Sequence, residues 1–534
     1  MCYTHSHLNY LKGLKLRAFL HFSIKLSSSS SSSSSSLLLP SALCFFLSAI
    51  SSSPMAYEKA SPTKREYLIL RPEKIGWFHL LSLLIFRRNL TSYKFLETDS
   101  VGDGIPTDII TVITLFIQKL LASISGPMKV TGLIVEFLLN FISLNGGILG
   151  LIKRIITVSV VIPRREDPNF RTLIGQIDGR TNLYKSNALI QFYPFMEAFS
   201  DLSDLNLLDL TMMSSKIAYE NAAFIKNVVN NVWKMHFVGF YSCWNKFLND
   251  HTTQAFIFCN KETDADLIVL AFRGTEPFNA NDWSTDVDLS WIFANKLGNI
   301  HLGFLKALGL QDEKSFLLGF PTNFNSTTDK PIAYYTIREQ LTSLLKVHKN
   351  AKIVVTGHSL GGALAAIFPA LLSYHNQSNI LSSLYGTFTY GQPRVGDEIF
   401  VAYVKAIIKA KSYRMVYRYD VVPRIPFDAP PVALFKHFGT CVYYKSWYKA
   451  EIMDDAPNPN YFDPLFVVSM YLNAWGDLLK GLFIRWTQGK EYKEGTVSIL
   501  YRCLGLIIPG IASHSPRDYV NGGRLAKIAQ KFMV

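Results

Sequence analysis

Three consecutive stretches constrain this chain more than anything else in it. Ile353-Val354-Val355-Thr356 is a β-branched run, Gly357-His358-Ser359-Leu360-Gly361 is a turn, and Gly362-Ala363-Leu364-Ala365-Ala366 opens a small-residue helix. A strand that reverses into a helix within five residues forces the central serine into a strained backbone conformation. Only glycines two positions to either side let strand and helix pass each other. Such a serine is expected to stand exposed above the sheet at the positive end of a helix, where backbone N–H groups point toward any negative charge that develops. The spacing predicts a nucleophile elbow at Ser359.

The surroundings fit a sheet covered by helices. Residues 254–259 and 267–272 read as two strands joined by a polar turn, an antiparallel hairpin. Further strands are predicted at 353–356, 384–390, 414–419 and 441–444, with helical patterns between several of them, which gives an α/β fold with a mixed central sheet. The chain has 534 residues, 49% of them hydrophobic, enough for one large domain with additions. No internal repeat is evident.

The net charge of +14 is dispersed and forms no aromatic-studded basic stripe, which argues against nucleic acid and for an anionic membrane or phospholipid surface. The six cysteines, Cys2, Cys44, Cys243, Cys259, Cys441 and Cys503, have no zinc-knuckle or redox-pair spacing, so a reducing compartment and no metal are expected. Asn-x-Ser/Thr patterns at Asn89, Asn325 and Asn376 carry no weight, because so short a pattern recurs by chance.

Three regions follow from composition. Residues 1–54 are a low-complexity leader with an unbroken serine run at 27–36 and an apolar patch at 37–50. It reads as a signal peptide, as a transit peptide, or, the preferred reading, as sequence upstream of a true start at Met55. Residues 55–165 form an apolar helical region with runs at 77–86, 109–124 and 130–162. Glu136 argues against a clean bilayer span there. A helical hairpin or interfacial helices on a membrane or lipid droplet are expected, the alternative being helices buried against the catalytic domain. Residues 166–534 are the α/β domain.

A serine hydroxyl is a weak nucleophile and needs a base, a carboxylate to orient that base, and donors for the oxyanion. Asp420 ends the predicted strand 414–419, just before Val421-Val422-Pro423-Arg424-Ile425-Pro426, and the carboxyl end of a strand is where α/β enzymes place catalytic groups. His514 sits in a breaker-rich loop before a terminal helix and is the preferred base. His437 is its rival, and Asp397 is the rival acid. His358 adjoins the nucleophile on a tight turn, which points it away from the hydroxyl and suits a structural role.

Several motifs together carry a resemblance. Phe272-Arg273-Gly274-Thr275, the Ser359 pentapeptide, Tyr390-Gly391-Gln392-Pro393-Arg394-Val395-Gly396, the Asp420 segment and the late His514 resemble the class 3 lipases, whose best-known members are fungal triacylglycerol lipases. The resemblance runs from about residue 267 to the C-terminus. The apolar N-terminal region and the His514-Ser515-Pro516-Arg517-Asp518-Tyr519 ending look most like the plant oil body lipase branch. It implies an α/β-hydrolase fold, a Ser359, Asp420, His514 triad, an oxyanion hole from the Thr275 and Leu360 amides, and a helical lid within 276–300. It also implies hydrolysis of triacylglycerol or other long-chain acylglycerols at a lipid-water interface, at a lipid droplet or membrane, with no cofactor. A phospholipase A1 or galactolipase, in a plastid if the leader is a transit peptide, and a non-catalytic lipid droplet anchor are the alternatives. The long interval from Asp420 to His514, with an aromatic and apolar stretch at 461–486, departs from the fungal pattern. It is expected to contact the membrane or line an acyl groove.

Overall fold

The computed structural model describes residues 66–86, 95–99, 109–184 and 207–528, apart from 326, 328, 409, 430, 431, 434, 446 and 447. The leader, 1–54, lies outside them. Near the N-terminus are β1 (Tyr67–Leu70) and β2 (Leu96–Thr98). An antiparallel meander follows, with β3 (His236–Asn245), β4 (Asp250–Cys259) and β5 (Leu267–Phe272). Two short strands come next, β6 (Trp291–Phe293) and β7 (Asn299–His301). The elbow strand is β8 (Lys352–His358), followed by β9 (Leu384–Tyr390), β10 (Lys411–Tyr417) and β11 (Thr440–Lys445). The last are β12 (Lys449–Met453) and β13 (Lys527–Ile528).

Nine of these strands form the central sheet, in the order β13-β12-β11-β10-β9-β8-β5-β4-β3. From β5 to β11 every neighbouring pair is parallel. Parallel strands are covered on both faces and therefore read as continuous apolar runs. In β8, Ile353 and Val355 join the core on one side and Val354 the core on the other. The helix Leu360–Tyr374 packs in the first core, and the helix Leu207–Ile217 in the second.

The structure corrects some of the strand limits. β10 stops at Tyr417 because Arg418 takes a positive φ of 37°, which ends extended pairing two residues before the predicted limit. The edge strand β3 is unpredicted. It is half-buried along most of its length, so it carries little alternation, and its strand state comes from pairing with β4.

In the apolar N-terminal region the expected break between 124 and 130 does not occur. One helix runs Ile109–Leu144 with Pro127 inside it. Pro127 is exposed, where the backbone bond its ring removes costs least. Gly146 and Gly147, with φ of 81° and 79°, then turn the chain into a second helix, Gly147–Ile156. The long helix is tied to the α/β domain along one side. Glu136 accepts the Leu173 N–H at 3.0 Å and pairs with Arg165, and Asn140 exchanges bonds with the Arg171 backbone at 2.7 and 2.9 Å. Its other side, with Val130, Ile134 and Leu138, is exposed.

Candidate active site

Ser359 caps the helix Leu360–Tyr374 with φ 59° and ψ −133°, the strained geometry required of the elbow. A Cβ on Gly357 would lie 2.1 Å from the Gly361 carbonyl oxygen, and one on Gly361 would lie 2.4 Å from that of Phe272. Both glycines are therefore demanded by close backbone approach. Phe272 of β5 pairs with Gly357 of β8, so the loops leaving the two strands run side by side. A Cβ on Gly274 would lie 2.4 Å from the His358 carbonyl oxygen, so the loop that carries Thr275 runs against the elbow.

Asp420 follows the turn that ends β10 and is fully buried. Its carboxylate accepts the His514 Nδ1–H at 2.8 Å (Oδ2), the Val422 N–H at 2.9 Å (Oδ1) and the Tyr519 hydroxyl. His514 lies on the 3-10 turn Ala512–His514, and Tyr519 on the helix Pro516–Leu525 directly after it, so one local unit supplies two of the three donors. With Nδ1 donating, Nε2 of a neutral His514 is an acceptor. Ser359 is not exposed as expected: its hydroxyl and Nε2 of His514 are both buried, without a hydrogen-bond partner. Two complementary groups left unpaired in one site are unusual, since buried polar groups are nearly always satisfied.

His358 has the structural role expected of it. One ring nitrogen meets the His514 carbonyl at 3.0 Å, so Nε2 carries the proton, and Nδ1 then accepts the Tyr219 hydroxyl at 2.8 Å. Its ring stacks on that of His514 with centroids 4.4 Å apart. Burial, reinforced by the nearby His514, holds His358 well below the ordinary imidazole range, so it stays neutral. The rivals are elsewhere. Asp397 caps the helix Glu398–Ile407 by accepting the Phe400 N–H, and His437 donates to the Pro423 carbonyl at 2.7 Å.

The lid expectation needs a correction. The α-helix within 276–300 is Ala280–Asp286, with a 3-10 turn at Asn295–Leu297, whereas Leu289, Trp291 and Ile292 belong to the buried core, with Trp291 donating to the Val432 carbonyl. Trp291 and Ile292 pair within β6 in a small sheet of order β2-β1-β6-β7, which the local sequence does not signal. Within the short helix, the Trp283 ring lies edge-on to that of His514, with centroids 6.4 Å apart. Asp286 accepts the Thr275 hydroxyl at 2.8 Å, linking the short helix to the loop that follows β5. Sequence reasoning missed Asp286, Tyr219 and Tyr519. Of these only Tyr519 had a signal, its place five residues after His514 on a helix opened by Pro516.

Burial pushes the Asp282 carboxyl up to about 7 against the pull of Arg273, and Asp286 moves the same way. A carboxyl raised in the folded state stabilises fully below its unfolded value, near pH 4, and that contribution is lost as pH rises through about 7. Asp282→Asn should therefore narrow the gap between the melting temperatures near pH 5 and near pH 8, by raising the latter. Calorimetry at the two pH values reads this, and an unchanged gap would place the pH dependence elsewhere.

A mixed sheet of this strand order, with a serine on the sharp turn after β8 and an acid and a histidine brought to it from later loops, defines an α/β-hydrolase. A profile of the family described as lipase (class 3) matches residues 269–429, from β5 to just beyond the Asp420 segment. The chain is 43% identical over 474 residues to triacylglycerol lipase OBL1 of Nicotiana tabacum, covering 78% of this chain and 83% of that one. It is 38% identical over 490 residues to triacylglycerol lipase OBL1 of Arabidopsis thaliana, covering 86% and 94%. The chain belongs to the class 3 lipase family, in its plant branch, and is a serine carboxylic ester hydrolase.

Proposed function

We propose that this enzyme hydrolyses long-chain acylglycerols, triacylglycerol foremost, at a lipid-water interface, with Ser359 as nucleophile, His514 as base and Asp420 as its orienting acid. The observation that carries the reading is the pair of unpartnered groups, Ser359 Oγ and His514 Nε2, beside an imidazole whose other nitrogen is fixed by Asp420. As Ser359 attacks the ester carbonyl its proton passes to Nε2, and the imidazolium that forms is stabilised by the Asp420 carboxylate. The Thr275 and Leu360 amides hold the tetrahedral oxyanion. His514 then protonates the departing alcohol, and water, activated by the same base, releases the fatty acid from Ser359.

The triacylglycerol preference is supported by the activity in the names of the plant relatives. Residues 55–165 serve as a lipid-associating region, placing the enzyme on a lipid droplet or membrane and the lipase domain beyond it. The exposed apolar residues of the helices Ile109–Leu144 and Gly147–Ile156, including Ile134, Leu149 and Ile156, support this. Interfacial action is supported by the seat of Trp283 on His514, which must open before a long acyl chain can enter.

Fatty-acid release by protein starting at Met55, on emulsified triacylglycerol, phospholipid and galactolipid, tests the proposal. Triacylglycerol should be hydrolysed fastest. Faster release from polar lipids would make the enzyme a phospholipase or galactolipase, and failure on every lipid by folded protein would leave it an anchor.

A further inference from the structure

The helix Pro464–Gln488 turns its polar side inward and its apolar side out. Toward the protein, Asp477 accepts from Lys480 at 2.8 Å, from Tyr417 at 3.1 Å and from Asn473 at 3.1 Å. Asn473 also reaches the hydroxyl of Ser513, the residue before the triad histidine, at 3.4 Å. Lys480 in turn bonds the Tyr417 hydroxyl at the end of β10. This buried polar side fixes the helix against the two segments that deliver Asp420 and His514.

Toward the outside, Leu465, Val468, Leu472, Trp475, Leu479 and Trp486 recur at alternating intervals of three and four, except for the last interval of seven. They form a single stripe about 32 Å long at the α-helical rise. Every one is exposed, Leu465 at 86%, Leu472 at 67% and Trp486 at 73%. Asp477 and Lys480 are the charged residues between 464 and 484, and both are buried. A stripe meant for a second protein helix would carry charges at its flanks, where interhelical ion pairs set the partner. This one has none until Arg485. Beyond it come the exposed Lys490, Glu491 and Lys493, which with Arg485 leave a net basic end next to an apolar face bearing two tryptophans. Leu500 and Ile507, on and just after the neighbouring helix Thr496–Leu504, extend the apolar surface.

We propose that the helix Pro464–Gln488 is a lipid-docking element, lying in the interface of a phospholipid surface with its stripe among the acyl chains and its basic end among anionic head groups. It rests on the interfacial lipase reading above and adds to it a second docking surface, wired through Asp477 and Asn473 to the loop that holds the catalytic base. The N-terminal helices attach the enzyme, and this helix sets the orientation of the site on the lipid.

The test uses the full chain from Met1 with Cys2, Cys44 and Cys503 changed to serine and Leu472→Cys carrying an environment-sensitive fluorophore. Vesicles of phosphatidylcholine with phosphatidylserine should shift the emission of this label to the blue. Separately, Leu472→Glu with Leu479→Glu should lower partition onto the same vesicles about tenfold or more. That double variant should keep its rate on a water-soluble short-chain ester while losing hydrolysis of emulsified triacylglycerol. An unshifted label overturns the proposal. So does a label already shifted without lipid in protein that sediments as a dimer, because the stripe would then be covered by a second copy. The fluorophore reads docking whether or not any ester is cleaved, so a chain that docks but hydrolyses nothing would refute the lipase reading alone.

Discussion

Ser359→Ala should abolish ester hydrolysis, lowering turnover about a millionfold, to the level that binding and the oxyanion donors sustain without a nucleophile. The change should cost little in stability. The Ser359 hydroxyl is buried and bonded to nothing, so its removal leaves no partner stranded. The backbone strain at φ 59° is imposed by the elbow, and alanine bears it about as serine does. A fluorophosphonate that labels the wild-type enzyme should leave the variant unlabelled at an unchanged melting temperature. Residual turnover as high as about a hundredth of wild type would show that another nucleophile is at work.

The elbow was legible because its chemistry is local. Strand formers, two glycines at fixed spacing and small helix formers act within fourteen residues, and no distant contact can replace them. Asp420 and His514 were legible by a different route. Each lies where breakers end an element, Pro423 after Asp420 and Pro516 after His514, and the resemblance to a family decided between them and their rivals. The remainder of the site was not legible because it is assembled by tertiary contact. Tyr219 reaches His358 across 139 residues, and Tyr519 reaches Asp420 across 99, with no periodicity to mark either. The apolar run at 289–293 reads as part of a lid. Pairing of β6 with β1, more than two hundred residues earlier in the chain, settles it as core. The helix Pro464–Gln488 was legible as apolar, but its inverted faces were not, since Asp477 and Lys480 reveal their inward direction only against Tyr417.

Asp420→Asn should lower kcat about ten-thousandfold, through the proton on His514. In the wild-type enzyme three donors converge on the carboxylate, from His514, Val422 and Tyr519. An amide offers one acceptor oxygen and sets its own N–H groups against the rest. The arrangement that relieves this turns an N–H of the new side-chain amide toward Nδ1 of the imidazole, which moves the histidine proton to Nε2, the nitrogen that must accept from Ser359. The base is then blocked, and the imidazolium has lost its counter-charge. Tyr519→Phe removes a donor from the carboxylate yet leaves the Nδ1–H acceptor in place, so its loss should be far smaller, about tenfold for one hydrogen bond. Kinetics on a short-chain ester read both. If Asp420 acts only through His514, then Asp420→Asn introduced into a His514→Ala enzyme should cost almost nothing further, because residues that work as a unit do not add. A full additional loss of about ten-thousandfold in that double variant would mean that Asp420 serves the reaction by a route other than the imidazole.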